Sequence, residues 1–459
     1  MDDASRVIVA GAGLTGLTTA CMLQRAGMDV LLLEQDHRPG GAIRTYREQG
    51  FVFEAGPNTG VLSCPEAVEL IESLSPLCQL ETALPEAGCR WVMKGGRFLA
   101  LPSGLAGGLL TPLFTWKDKL RLLGEPFRKP GTDPDECVRD LVLRRMGASF
   151  YDYAVDPFIS GIYAGDASKL VTRHALPRLY RLEQQYGSFI RGAIKKASEP
   201  RDERSLKATR QVFSVRGGLE RLVDALAIRI GSDRLITGVA SLQVRPGPEG
   251  FEVHGVRDGA ECHWKSRFVV LTAGAHALPS MIPFVGSELM SGLSNVRYAP
   301  VAQVALGYDH WEGIPLRAFG GLVPSEEHRK VLGILFPSSF LRDRAPSGGA
   351  LLSLFLGGMR HPELVNLSDQ ELVALCIEEV SNSLRSHSKP VLTRVFRHFH
   401  AIPQYEASSD LRFRAVREVQ QTFPGLIIAG NLRDGIGMAD RIRQGTEIAQ
   451  EIKNLSASV

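Results

Sequence analysis

Gly11, Gly13 and Gly16 stand at G-x-G-x-x-G spacing directly after the apolar run Val7-Ile8-Val9-Ala10. This is a pattern for holding phosphate. The first glycine allows a tight turn, the second lets a pyrophosphate approach the backbone, and the third lets the next helix pack closely on the strand. The helix start adds free N–H groups and a positive dipole end. A second apolar run, Asp29 to Leu33, ends at Glu34, about twenty residues past the turn, where a carboxylate can bind a ribose hydroxyl and disfavours a 2′-phosphate. Strand, turn, helix, strand and acid in that order point to a bound dinucleotide. A glycine-rich turn in an ordinary βαβ unit has no need of Glu34.

The elements that must position these groups are an opening strand at Val7 to Ala10, a helix from Leu14 to Ala26 ending at Gly27, and a strand ending at Leu33. A helix follows from Pro65 to Leu74 with Ser63 as its cap, then a hairpin whose strands flank Gly95-Gly96. Helical patterns fill residues 101 to 210, with an exposed loop from Ser198 to Thr209. Strands and helices alternate again from Gln211 to Ala273. Further strands lie at Ala302 to Tyr308, Val331 to Phe336 and Ala350 to Phe355, before a helix from Asp369 to Leu384. The strand Gly425 to Asn431 leads, through a second glycine-rich turn, into a helix from near Gly437 to Asn454.

In class this is an α/β protein, α+β overall: a Rossmann-type dinucleotide domain, a mixed-sheet domain and a helical insertion. Residues 1–85, 211–285 and 395–459 form the first, 86–100 and 286–394 the second, and 101–210 the third. The 459 residues suffice for about three domain-sized units. A net charge of +3 gives no reason to expect nucleic acid. The seven cysteines, without a C-x-x-C pair, offer neither a disulfide framework nor a metal site, and fit a reducing, cytoplasmic setting. The acidic N-terminus runs straight into the first strand, so no leader is expected. No apolar run reaches the ~18 residues of a spanning helix.

The segment Arg38-Pro39-Gly40-Gly41-Ala42-Ile43-Arg44-Thr45, followed by Gly50 to Asn58, resembles the flavin-containing amine oxidase superfamily. The resemblance implies FAD, with Gly41 letting the chain pass close to the cofactor and Arg44 supplying a permanent cation. More narrowly, the chain resembles the oxygen-dependent protoporphyrinogen and coproporphyrinogen oxidases. Phe53 to Asn58, Asp156 to Asp166, Gly320 to Pro324, Phe355 to Gly358, Ala401 to Tyr405 and Ala429 to Asn431 carry that likeness in the family's order. It implies a cofactor set of Gly11, Gly13, Gly16, Glu34, Gly41, Arg44, Val239 beside the adenine, Gly430 and Met438. For an anionic tetrapyrrole it implies Arg90 against a propionate, Gly161 against the ring, Leu322 and Phe355 as the apolar sandwich, and Asn58 nearby. The competing reading of Arg90 is a surface ion pair, the less favoured of the two, and that of Leu322 and Phe355 is plain core, the commoner fate of an apolar residue. His398 departs from the family, where a tryptophan is common.

The implied reaction takes hydride equivalents from a porphyrinogen onto the flavin, with O2 as final acceptor, H2O2 as product, and no acid–base residue or metal. The rivals are coproporphyrinogen as substrate, another flavoenzyme of the superfamily, and a non-catalytic tetrapyrrole carrier. The apolar stretch Leu105 to Leu113, followed by Lys117, Lys119, Arg121 and Arg128, suits a peripheral membrane contact as well as a solvated face over core. The residues do not decide between a monomer and a homodimer.

Overall fold

The computed structural model describes residues 6–457 except 103 and 201; the acidic start of the chain lies outside the described residues. A five-stranded parallel sheet has the order Leu235–Ile236, Val30–Leu33, Val7–Ala10, Phe268–Leu271, Leu426–Ile428. Its central strands are buried throughout, which is why they read as unbroken apolar runs rather than alternations. Val7 and Val9 face the helices Leu14–Arg25, Glu220–Ile230 and Met438–Ala457. Ile8 and Ala10 face the opposite layer, a small antiparallel sheet and the helices Ser287–Ser294 and Ser409–Thr422. Strand order reverses between Val7–Ala10 and Phe268–Leu271, so the crevice beyond their carboxyl ends is where such a sheet binds ligands.

A seven-stranded sheet runs Leu392–Pro403, Tyr298–Tyr308, Ala350–Gly357, Val331–Leu335, Gly320–Leu322, Arg90–Lys94, Arg97–Ala100. One face packs Leu352, Leu354 and Leu356 on Leu372, Cys376 and Val380 of helix Asp369–Leu384. That helix begins at a capping box between Ser368 and Glu371, which satisfies two backbone donors at once. The other face looks toward the parallel-sheet unit, where Ala305 and Leu351 meet Phe51 and Phe53. There Gln303 Nε2 donates to the Glu54 carbonyl at 2.7 Å.

Residues between 104 and 206 are helical around a buried charge cluster. Arg145 pairs with Glu125 at 2.9 Å and Glu183 at 2.6 Å, all three side chains shut off from solvent. Three expectations are corrected. Cys64, not Ser63, precedes helix Pro65–Ser73, because Pro65 occupies the first turn and needs no donor cap. The segment Ser198 to Thr209 contains a helix, Glu203–Leu206, capped by Asp202, with Arg204 bridging Glu66 and Glu69. Strand Leu392–Pro403 pairs with Tyr298–Tyr308, so the boundary at 395 cuts a strand of the seven-stranded sheet.

Candidate active site

Gly11 has φ +105°, which other residues rarely adopt. A Cβ there would lie 2.6 Å from Thr272 Oγ1, and one on Gly16 would lie 1.9 Å from the Gly11 carbonyl oxygen. Gly13 has nothing within 4 Å of where its Cβ would stand. Two of the glycines thus serve the fold, and the third faces open space. A cleft of about 580 Å³ opens here, lined among others by Gly11, Gly13, Glu34, Gly41 and Thr272. Glu34 is oriented by the N–H groups of Ala12 (2.5 Å) and Asp36 (3.0 Å), and its carboxylate keeps lone pairs for a ribose. The Gly40 N–H donates to the Ala12 carbonyl at 2.8 Å, fastening the paired-glycine loop to the phosphate turn. Arg44 is exposed, its guanidinium 4.7 Å over the Tyr46 ring.

Gly430 has φ +92°, and its Cβ would lie 2.8 Å from the Thr272 carbonyl oxygen. Thr272 Oγ1 also donates to the Gly11 carbonyl at 2.8 Å. The first and second glycine turns therefore meet at one threonine, at the carboxyl end of the parallel sheet. Met438 opens helix Met438–Ala457, but its side chain is buried in the core. Val239 is likewise fully buried, close to Gly255, and Ser241 to Gln243 line the cleft instead. An elongated, partly anionic dinucleotide fits this cradle: the space above Gly13, the helix N-terminus, the tethered carboxylate and the flanking cation are all present.

The apolar candidates come together on the other side. Leu322 pairs with Gly333, and Gly333 with Phe355, so the three form one row across adjacent strands with no side chain between the two apolar residues. Both are half-buried. Gly161, exposed on helix Asp156–Tyr163, meets this row: a Cβ there would stand 2.5 Å from Leu322 Cδ2. Arg90 pairs with Gly320, two positions along from the Val92–Leu322 pair, which puts it on the same sheet face. It is exposed, 5.9 Å over the Phe319 ring, with no carboxylate in ion-pair distance among the described residues. Asn58 is buried; its Nδ2 donates to the Gly56 carbonyl at 3.0 Å, and its Oδ1 has no partner. His398 Nε2 donates to the Ala55 carbonyl at 2.6 Å, which fixes that nitrogen as protonated and makes the histidine a strut beneath the same loop.

Two residues without an expected role organise these groups. Thr272 is one, and a hydroxyl at the carboxyl end of a buried strand was its only mark. Asp156 is the other: it accepts from Ser325 N (2.7 Å) and Oγ (2.8 Å) and pairs with Arg360 at 3.4 Å, tying the Gly161 helix to the segment after Leu322. Burial, then Glu326 and Asp156, push the neighbouring Asp152 carboxyl up, and burial holds Lys94 below the usual lysine range.

The model of the flavin containing amine oxidoreductase family matches residues 14–453. Protoporphyrinogen oxidase 2 of Arabidopsis thaliana is 29% identical over 97% of this chain and 93% of its own. Coproporphyrinogen III oxidase of Bacillus subtilis is 26% identical over 97% of each chain. A solved structure from Exiguobacterium sp. 255-15 superposes with a TM-score of 0.81 at 22% identity, covering 98% of both chains, which shows a shared fold.

Proposed function

This chain belongs to the flavin-containing amine oxidoreductase family and is an FAD-dependent oxidoreductase, and we propose that it oxidises protoporphyrinogen IX to protoporphyrin IX with O2 as acceptor and H2O2 as product. The observation that carries the substrate is the row Leu322–Gly333–Phe355 facing Gly161, with Arg90 on the same sheet face. An apolar row of side chains beside an exposed guanidinium suits a tetrapyrrole with propionates; an amine would be expected to sit in a polar or aromatic cage. Gly333 leaves no side chain between Leu322 and Phe355, and Gly161 lets its helix pack directly on Leu322. Arg90 offers a planar fork to a carboxylate. Asn58 presents its unpartnered amide oxygen as an acceptor for an N–H group.

The chemistry supplied by bound FAD is hydride acceptance. The protein's part is to hold the ring, exclude water and leave the departing protons a route to solvent, and it uses no acid–base side chain for this. Two other cations near this face are already engaged. Lys94 donates to the carbonyls of Pro112 and Leu113, each at 2.8 Å, and Arg360 is spent on Asp156 and the Val323 carbonyl. That favours the two propionates of protoporphyrinogen over the four of coproporphyrinogen. Supplying both porphyrinogens to the yellow protein under air tests this: porphyrin fluorescence and peroxide rise faster with protoporphyrinogen. A preference for coproporphyrinogen contradicts the choice of substrate, and no porphyrin from either contradicts the class.

A second observation bears on location. Leu110, Trp116, Leu120, Leu123, Phe127 and Ile194 are 65–83% exposed, on short helices that also carry Lys117, Lys195 and Lys196. We infer that this surface rests on one membrane leaflet. Among the described residues no helix is long and apolar enough to cross a membrane. Flotation with anionic liposomes at low salt should carry the protein upward; failure to float rejects the contact.

A further inference from the structure

The second glycine turn is built around a buried cation. Arg441, in the first turn of helix Met438–Ala457, is 8% exposed. One of its Nη atoms donates to the Gly430 carbonyl and, at 2.8 Å, to Gln444 Oε1; the other donates to the carbonyls of Arg433 and Gly435, each at 2.8 Å. Gln444 Oε1 also accepts from the Gly430 N–H at 2.9 Å, and its amide donates to Asp434 at 2.8 Å. Asp434 and Gly435 complete the curl with φ of +63° and +96°. The nearby acids have other ion-pair partners, Asp434 in Arg433 and Asp440 in Arg443, so the groups bonded directly to the guanidinium are backbone carbonyls and the Gln444 amide oxygen.

A trans peptide unit holds its C=O and N–H in opposite directions. With the carbonyls of Gly430, Arg433 and Gly435 drawn in toward Arg441, the N–H groups of Asn431, Asp434 and Ile436 point away from it. Among the described residues none of these three N–H groups has an acceptor in the protein. Unpaired amides turned outward beside a cation form a nest for an electron-rich group. Their turn touches the phosphate turn through Thr272.

We propose that Arg441 is a positioning residue for FAD: it sets the outward N–H groups that grip the cofactor's carbonyl and anionic atoms, and its charge favours the reduced, more anionic state. The test compares wild type, Arg441→Met and Arg441→Lys in three measurements: FAD affinity of the stripped protein, flavin reduction potential of the reloaded protein, and melting of the stripped forms. Arg441→Met should weaken FAD by about thirtyfold and lower the potential. Arg441→Lys, a single point charge without the fork, should restore most of the potential and little of the affinity. Variants that bind FAD within about twofold of wild type at an unchanged potential, whether or not they melt lower, overturn the proposal. Should Arg441→Met fail to fold, Ile436→Pro removes one of the three donors and leaves Arg441 in place; wild-type affinity in that variant also overturns it.

Discussion

The two halves of the site are built from different materials. The dinucleotide cleft is made largely of backbone: glycine turns, amide donors and a tethered Glu34, with the turn itself held by contacts such as the 1.9 Å that a Cβ on Gly16 would leave to the Gly11 carbonyl. The face proposed for the tetrapyrrole is made of side chains on a sheet, half-buried, with Arg90 exposed over the Phe319 ring. A backbone site accepts almost no substitution but tolerates many neighbours. A side-chain site can be retuned one residue at a time, which is how one fold serves many substrates.

That contrast can be broken most sharply at Gly11. Gly11→Val places a branched side chain at φ +105° against Thr272 and is expected to abolish FAD binding, leaving a colourless protein. Purification with stoichiometric flavin would erase the distinction. Next in size is Gly161→Leu, which drives a side chain into the space 2.5 Å from Leu322. Porphyrinogen turnover should fall by about a hundredfold, on the order of 2.7 kcal/mol, with FAD content unchanged; loss of flavin instead would show that the two halves are not separable. Arg90→Ala should raise KM about tenfold, on the order of 1.4 kcal/mol, without altering the melting temperature. An unchanged KM removes Arg90 from the propionate role. The smallest effect belongs to His398→Phe, which leaves the Ala55 carbonyl without its donor and should cost about 1 kcal/mol of stability; a melting curve identical to wild type would show that the strut is dispensable.

The same contrast explains what the sequence made legible. Gly11, Gly13, Gly16 and Glu34 are read from spacing because a backbone site demands particular residue types at particular intervals. The buried parallel strands show as unbroken apolar runs. The helix Asp369–Leu384 is found to the residue, since its capping box and apolar period agree. The face around Leu322 and Phe355 carries no such pattern. Its geometry arises from register across strands far apart in the chain, and residue types alone do not give Gly333 its place between them. Strand Leu392–Pro403 escaped for the related reason that its Arg, His and Phe residues lie half in solvent and blur the alternation. Arg441 looks like one of several charges in a polar helix, and only the fold shows it ringed by carbonyls.

Everything in this account converges on electrons passing from a porphyrinogen seated on the sheet to a flavin held by the glycine turns. Mixing the yellow protein with protoporphyrinogen IX in the absence of oxygen tests that transfer directly. The account predicts that flavin absorbance bleaches in a rapid phase that Gly161→Leu suppresses, each flavin taking two of the six electrons that separate porphyrinogen from porphyrin, and that porphyrin fluorescence follows only when air is admitted to reoxidise it. A flavin that stays oxidised with protoporphyrinogen, but is bleached by an amine, would contradict it.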